Sequence, residues 1–260
     1  MRFDLLTILP DIFDSFLNES LIGKAIEHEA FEVKVVDIRQ FAYDKHQVTD
    51  DRPFGGGPGM VMKPEPIVRA IEASLAGYRS DRRRVILLSP AGKRLTQEKV
   101  AQLAELDHLV LVCGRYEGVD ERIGSLLDEE LSVGDYILCG GEVPAMLVVE
   151  AVARLLPGVL GKIESTEEES FSRHLIEYPQ YTRPRVFRGE AVPDILLSGD
   201  HQAIRDWRLK MSLQRTIERR PDLLEQAGLS PEEKKILEEI KLELERRSVK
   251  NTLDFSLDKD

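Results

Sequence analysis

Between Leu109 and Pro144 the chain holds three glycine-rich turns, Cys113-Gly-Arg-Tyr-Glu-Gly118, Ser132-Val-Gly-Asp-Tyr136 and Cys139-Gly-Gly-Glu-Val-Pro144. The first and third directly follow strand-like runs, Leu109–Val112 and Tyr136–Leu138, and another such run, Val85–Leu88, ends in Ser89-Pro-Ala-Gly92. Glycine lets a backbone approach a ligand closely and present its own N–H and C=O groups. Loops leaving the carboxyl ends of strands are where open α/β sheets bind ligands. Any one of these glycines is explained by a turn alone, whereas three loops at strand ends together form what a ligand crevice requires. The chemistry on offer is the holding of a small molecule, since most of these side chains cannot move protons. No G-x-G-x-x-G opens a helix and no G-x-x-x-x-G-K-[ST] is present, so phosphate cradling is the weaker reading.

Other chemically capable residues lie outside these turns. Asp50-Asp-Arg-Pro-Phe-Gly-Gly-Gly-Pro-Gly-Met60 joins two carboxylates and Arg52 to four glycines, more than a tight turn needs. His46, just before it, reads as a surface or core histidine rather than a base. Arg154 falls at the end of an apolar helix, where a cation gains a few tenths to ~1 kcal/mol from the dipole. Glu164-Ser-Thr-Glu-Glu-Glu-Ser170 reads on its own as a solvated acidic linker. The two cysteines, Cys113 and Cys139, suit neither a disulfide framework nor a Cys-type metal site, which implies a reducing, cytoplasmic setting. A net charge of −11 argues against a nucleic-acid partner. Its distribution qualifies that: Arg205, Arg208, Lys210, Arg215, Arg219 and Arg220 face only Asp206 and Glu218 over their stretch, and a locally basic surface can bind RNA. Trp207, the sole tryptophan, reads as core.

The elements that must position these residues alternate. Strand-like Phe3–Leu9 and Glu32–Ile38 enclose a helical stretch that Asp11 can cap, and Pro64 and Pro66 introduce a helix with Ile67, Ala70 and Ile71 on one face. Thr96 caps a helix striped by Val100, Leu103 and Ala104. Helices are expected over Ile123–Leu127 and Ala145–Leu156, the latter opened by Pro144 and stopped by Pro157-Gly158. This alternation means an α/β fold with a mainly parallel sheet. From Gly161 the texture turns polar and then helical. The expected division is a catalytic α/β domain over 1–160, a linker over 161–175 and a small helical domain with an acidic tail over 176–260. Met1–Pro10 has too short an apolar core for a signal peptide and reads as a first strand, and no apolar run approaches the ~20 residues that span a bilayer.

These motifs in this order, with Tyr181-Thr-Arg-Pro184, Leu197-Ser-Gly-Asp-His201 and Trp207-Arg-Leu-Lys210 following, closely resemble the bacterial tRNA (guanine-N1)-methyltransferases. The resemblance runs from Met1 to about Leu224; the tail beyond Ser230 lies outside it. It implies a SPOUT-type α/β domain whose loops form a trefoil knot, a topology that periodicity could not supply because true knots are rare. It also implies a homodimer with sites built from both subunits, tRNA as partner, no membrane, and S-adenosylmethionine as cofactor, held bent. The reaction implied is methylation of N1 of the guanosine just 3′ of the anticodon, position 37.

Carried over by this resemblance, the cofactor contacts are Leu87, Leu88, Ser89 and Pro90; Gly114, Tyr116 and Glu117; Val133, Gly134, Asp135, Tyr136, Ile137 and Leu138; and Gly140, Gly141 and Pro144. Arg52 and Gly59 lie in a loop that the family uses at its dimer interface near the target base. Arg183, Arg208, Lys210 and Arg215 are expected to meet RNA phosphates. The family's catalytic pair falls on Arg154 and, where the family places an Asp, on Glu169; Glu168 is its neighbour if the register shifts. Mg²⁺ dependence is compatible with the resemblance, although the sequence shows no dedicated ligand cluster. Two rivals share the fold: a ribose 2′-O-methyltransferase and an RNA-binding module without turnover.

Overall fold

The computed structural model describes residues 1–160 and 169–257, with side chains described as far as Arg246. The chain divides into two compact units, Met1–Ile163 and Glu164–Asp260. Glu168 and the first part of the expected linker lie outside the described residues.

The first unit is built on five strands: β1 (Arg2–Thr7), β2 (Glu32–Asp37), β5 (Arg83–Arg94), β6 (His108–Cys113) and β7 (Glu129–Ser132). They pair in the order β2-β1-β6-β5-β7, every pair parallel. A short antiparallel pair, β3 (Asp50–Asp51) and β4 (Val61–Met62), stands apart from that sheet. Strand β6 is buried along its whole length, which is why His-Leu-Val-Leu-Val-Cys reads as a continuous apolar run rather than an alternating one. Its side chains still alternate between two cores. Leu109, Leu111 and Cys113 join Phe3, Leu5 and the helices α4 (Gln97–Ala104) and α5 (Glu142–Ala153). Val110 and Val112 join Leu6, Met62 and α3 (Pro64–Gly77) on the other face. Between β1 and β2 run α1 (Asp14–Asn18) and α2 (Ser20–Glu27). Thr96 caps α4, its hydroxyl accepting from Lys99 N at 3.3 Å.

Four expectations are corrected here. The run Val85–Leu88 does not end at Ser89: β5 continues to Arg94, with both Leu88 and Lys93 registered against Leu131. Residues 89–92 are therefore extruded as a bulge, and Gly92 is required because a Cβ there would lie 2.3 Å from Leu131 N. Tyr136–Leu138 is not a strand; Tyr136, Ile137 and Leu138 are 54%, 82% and 42% exposed. The strand beside β5 is instead β7, whose Glu-Glu-Leu-Ser gives no apolar signal because Leu131 is its one apolar residue. The expected helix over Ile123–Leu127 is instead a 3-10 segment, Glu121–Leu126, capped by Asp120, with Leu127 already extended. Helix α5 also begins two residues before Pro144, which occupies the first turn, where its missing N–H is harmless.

At the opposite ends of the strands from these turns, buried Asp4 accepts from Arg2 Nε at 2.7 Å and lies 3.4 Å from His108 Nε2. Burial alone would push its carboxyl up, but the contacts from His108 and Arg2 outweigh it and hold the group below the usual carboxylate range. A depressed folded-state pKa means stability present above the unfolded-state value and lost as pH falls through the folded one. Acid unfolding followed by circular dichroism should therefore show the parent chain more stable than Asp4→Asn near neutrality. That advantage should vanish only below the ordinary Asp range.

The second unit contains a small hairpin, β8 (Val186–Phe187) with β9 (Glu190–Ala191), and the helices α6 (His201–Arg219), α7 (Pro221–Leu224) and α8 (Pro231–Leu257). Asp200 caps α6 through Gln202 N and Ala203 N. Leu175, Leu213, Leu237 and Ile240 form its core. Arg173 donates to Glu233 at 2.7 Å, and Thr216 Oγ1 accepts from Ile176 N at 2.8 Å. Among the described residues no helix is long and apolar enough to cross a membrane.

Candidate active site

At the bulge of β5 and the carboxyl ends of β6 and β7 the glycine turns converge on one cleft of about 570 Å³. Leu87 and Leu88, both nearly buried, form part of its wall, and the extruded bulge contributes Ser89, Pro90 and Ala91. Gly114, Tyr116 and Glu117 follow β6; Val133, Gly134, Tyr136, Ile137 and Leu138 follow β7; Gly140, Gly141 and Pro144 lead into α5. Of the residues expected to hold a cofactor, only Asp135 is absent from this lining. It is ion-paired with Arg94 instead.

Each turn is held by a different device. The β6 turn is strained, with Tyr116 at φ 60° and Gly118 at φ 124°, and β4 clamps it. Glu117 N donates to Met60 O (3.0 Å), Met62 N to Gly118 O (2.9 Å) and Asp120 N to Met62 O (3.0 Å). Gly59, at φ 78°, lies directly on Glu117: a Cβ there would be 2.3 Å from its Oε1. The base of the Asp50–Met60 hairpin is thus part of the cleft's support, while its tip is free, with Phe54 fully exposed. In the β7 turn, Ser132 Oγ donates to Gly134 O at 3.1 Å and Tyr136 hydroxyl to Val133 O at 3.2 Å. The third turn docks on the first through an Arg115–Gly140 bridge and a 2.8 Å bond from Gly141 N to Gly114 O.

Sequence reasoning missed the polar support beneath these turns. Glu142, 2% exposed, accepts from Thr7 Oγ1 at 2.8 Å and from Arg115 Nη1 at 3.0 Å. A carboxylate after two glycines at a helix start was the available signal; Thr7 gave none until β1 was placed beside β6. Glu117, Glu121 and Glu130 also line the cleft, and Arg115 is the one cation among its described lining residues. Cys139 is exposed on this lining, whereas Cys113 is buried in β6. Burial, with a smaller contribution from Glu142, pushes the Cys113 thiol well above its ordinary range, which removes it as a nucleophile.

The remaining expected residues are spread over both units. Arg154 is half-buried at the C-cap of α5, its N–H donating to Glu150 O. Glu169 belongs to the second unit; its carbonyl accepts from Ser172 Oγ at 2.7 Å. Arg52 and His46 are exposed in the first unit, as is Arg183 in the second. Arg208 lies over the Tyr178 ring at 4.7 Å, and Lys210 is paired with Glu243 of α8 at 3.1 Å. Arg208 Nε and Arg215 Nε are buried without a hydrogen-bond partner among the described residues. Trp207 departs from the core reading: it is half-buried, its ring 6.3 Å from that of Tyr181. Among the described residues no cluster of His, Cys, Asp or Glu could hold a metal.

A family model described as tRNA (Guanine-1)-methyltransferase TrmD matches residues 1–226. Relatives named tRNA (guanine-N(1)-)-methyltransferase include one from Moorella thermoacetica, 54% identical over 241 residues, covering 92% of this chain and 96% of the relative. One from Geobacillus kaustophilus is 54% identical over 246 residues (94% and 100%), and one from Dictyoglomus turgidum 51% over 244 (94% and 98%).

Proposed function

On the premise that this chain belongs to the tRNA (guanine-1)-methyltransferase family, we propose that it methylates N1 of guanosine 37, next to the anticodon of tRNA, using S-adenosylmethionine. The observation that carries the donor's place is the convergence of the three glycine turns on one cleft beside apolar Leu138 and Pro144. The adenine ring lies against those side chains while backbone amides read its edges. Glu117, Glu121 and Glu130 give the cleft a negative field suited to a sulfonium. When bound, S-adenosylmethionine supplies an electrophilic methyl group. Glu169 takes the N1 proton, and Arg154 stabilises the charge that develops on guanine O6.

In this reading the protein is a cytoplasmic homodimer with a trefoil knot. Residues 1–160 form the catalytic domain, 161–175 the linker and 176–260 the helical tRNA-binding domain. Arg52, Gly59, Arg183, Arg208, Lys210 and Arg215 serve the RNA. The docking of the 139–141 turn on the 114–115 turn supports the knot. The docking of Gly59 on Glu117 supports a hairpin that brings RNA contacts to the cleft.

The deciding experiment is mass analysis of nucleosides from tRNA incubated with protein and S-adenosylmethionine. N1-methylguanosine at position 37 is expected. A ribose-methylated product would replace this reading with the 2′-O one, and an unmodified tRNA would leave a binding module. Assembly has its own test. Mixing Arg154→Ala chains with Glu169→Ala chains should restore part of the activity if the two residues meet across subunits, and recovery no greater than either variant alone would rule that out.

A further inference from the structure

The buried carboxylate of Glu142 has no part in the chemistry above, yet both of its oxygens are engaged and three segments meet on it. Oε1 accepts from Thr7 Oγ1 at the end of β1, and Thr7 Oγ1 itself accepts from Leu9 N at 2.9 Å. That second bond fixes the direction of the threonine proton towards Glu142. Oε2 accepts from Arg115 Nη1 in the β6 turn, and the helix that Glu142 opens favours its negative charge. Gly140, two residues before it, leaves room for this pairing: a Cβ there would lie 2.5 Å from Glu142 Oε2 and 2.9 Å from Arg115 Cγ. Arg115 therefore has one edge anchored. Its side chain remains 22% exposed, and it lines the cleft among Glu117, Glu121 and Glu130. A guanidinium held in this way is pre-organised to receive a second planar oxyanion on its remaining donors.

Resting on the S-adenosylmethionine reading, we infer that Arg115 binds the carboxylate of the cofactor's amino-acid end, with Glu142 and Thr7 as its positioning residues. The cofactor's cationic sulfonium and ammonium suit the cleft's carboxylates, but its own carboxylate would be repelled by them. Arg115 is the group that offsets this repulsion.

The test compares two ligands by calorimetry: S-adenosylhomocysteine, which has the amino-acid end, and 5′-methylthioadenosine, which lacks it. Arg115→Gln should weaken the first by about 10–100-fold, the range of one charge-assisted hydrogen bond, and leave the second within about twofold. Glu142→Gln keeps the shape and the Thr7 bond but not the charge, and should weaken the first alone by about 5–10-fold. Restoring the charge with Glu142→Asp should recover part of that selectivity. A merely structural role would weaken both ligands equally. Parallel losses, or no loss in Arg115→Gln, overturn the inference even if Glu142→Gln fails to fold. A parent protein that binds neither ligand overturns the cofactor reading itself, and with it this inference.

Discussion

Gly141→Val is expected to abolish measurable S-adenosylmethionine binding while leaving the first unit folded. The backbone at Gly141 has φ −82°, which any residue adopts, so conformational strain is not the reason. The obstruction is packing. A Cβ would lie 2.6 Å from Cys113 Cα and 3.1 Å from Gly114 N, backbone atoms that no rotamer change can move aside. The third turn must then lift from the first, breaking the bond from Gly141 N to Gly114 O and spreading two walls of the cleft. Overpacking of this kind costs about 1–3 kcal/mol. Because the displaced atoms are themselves proposed ligand donors, the loss of affinity should reach about 10²-fold or more. Gly124→Ala is the control, since a Cβ there meets nothing within 4 Å and Gly124 does not line the cleft. Calorimetry on a folded Gly141→Val chain showing parental affinity would remove this turn from the binding site.

That geometry also shows what was legible in the sequence. Glycine spacing located the turns, because a close approach between backbones leaves a residue-type signature at both partners. It did not distinguish the reasons: Gly59 and Gly134 have positive φ, whereas Gly92 and Gly141 are needed only for proximity. The strands of the inner sheet were readable because β6 is apolar in both registers from Leu109 to Val112, and β1 places Phe3 and Leu5 in one core and Leu6 in the other. The errors fell where burial and sequence pattern part company. Tyr136-Ile-Leu138 has strand-like residues because it offers an apolar surface to the cleft, and β7 was missed because Leu131 is the one apolar residue among its four. Asp135 was expected in the cofactor site from its neighbours' motif, and no local pattern announced the pairing of its side chain with Arg94 across 41 residues. Long-range polar contacts such as Thr7–Glu142, separated by 135 residues, leave no local trace at all.

The second unit was legible as helical in texture after its polar opening, but not in its charge pairing. A run of basic residues on α6 reads as a free surface until α8 supplies Glu243 to Lys210. Such a half-exposed pair is worth only about 0–1 kcal/mol, so the pairing does not prevent Lys210 from turning to a phosphate.

Glu169→Gln should slow single-turnover methylation by about 10²–10⁴-fold, or about 3–5 kcal/mol of barrier, the usual contribution of a positioned acid–base group. The reason lies in the substrate. Guanine N1 carries a proton that must leave as the methyl arrives, and the proposed cleft lining offers no histidine to take it. Gln retains size and hydrogen bonding but cannot accept the proton, so affinity for S-adenosylmethionine should change little while the chemical step falls. Glu169→Asp keeps a carboxylate and places in this chain the residue expected of the family, so it should stay active. Glu168→Gln, at the neighbouring position, should have little effect. If Glu169→Gln methylates at the parental rate and Glu168→Gln does not, the base lies one residue earlier than assigned. If both remain active, proton removal belongs elsewhere, and Asp50 and His46 of the first unit become the groups to replace next.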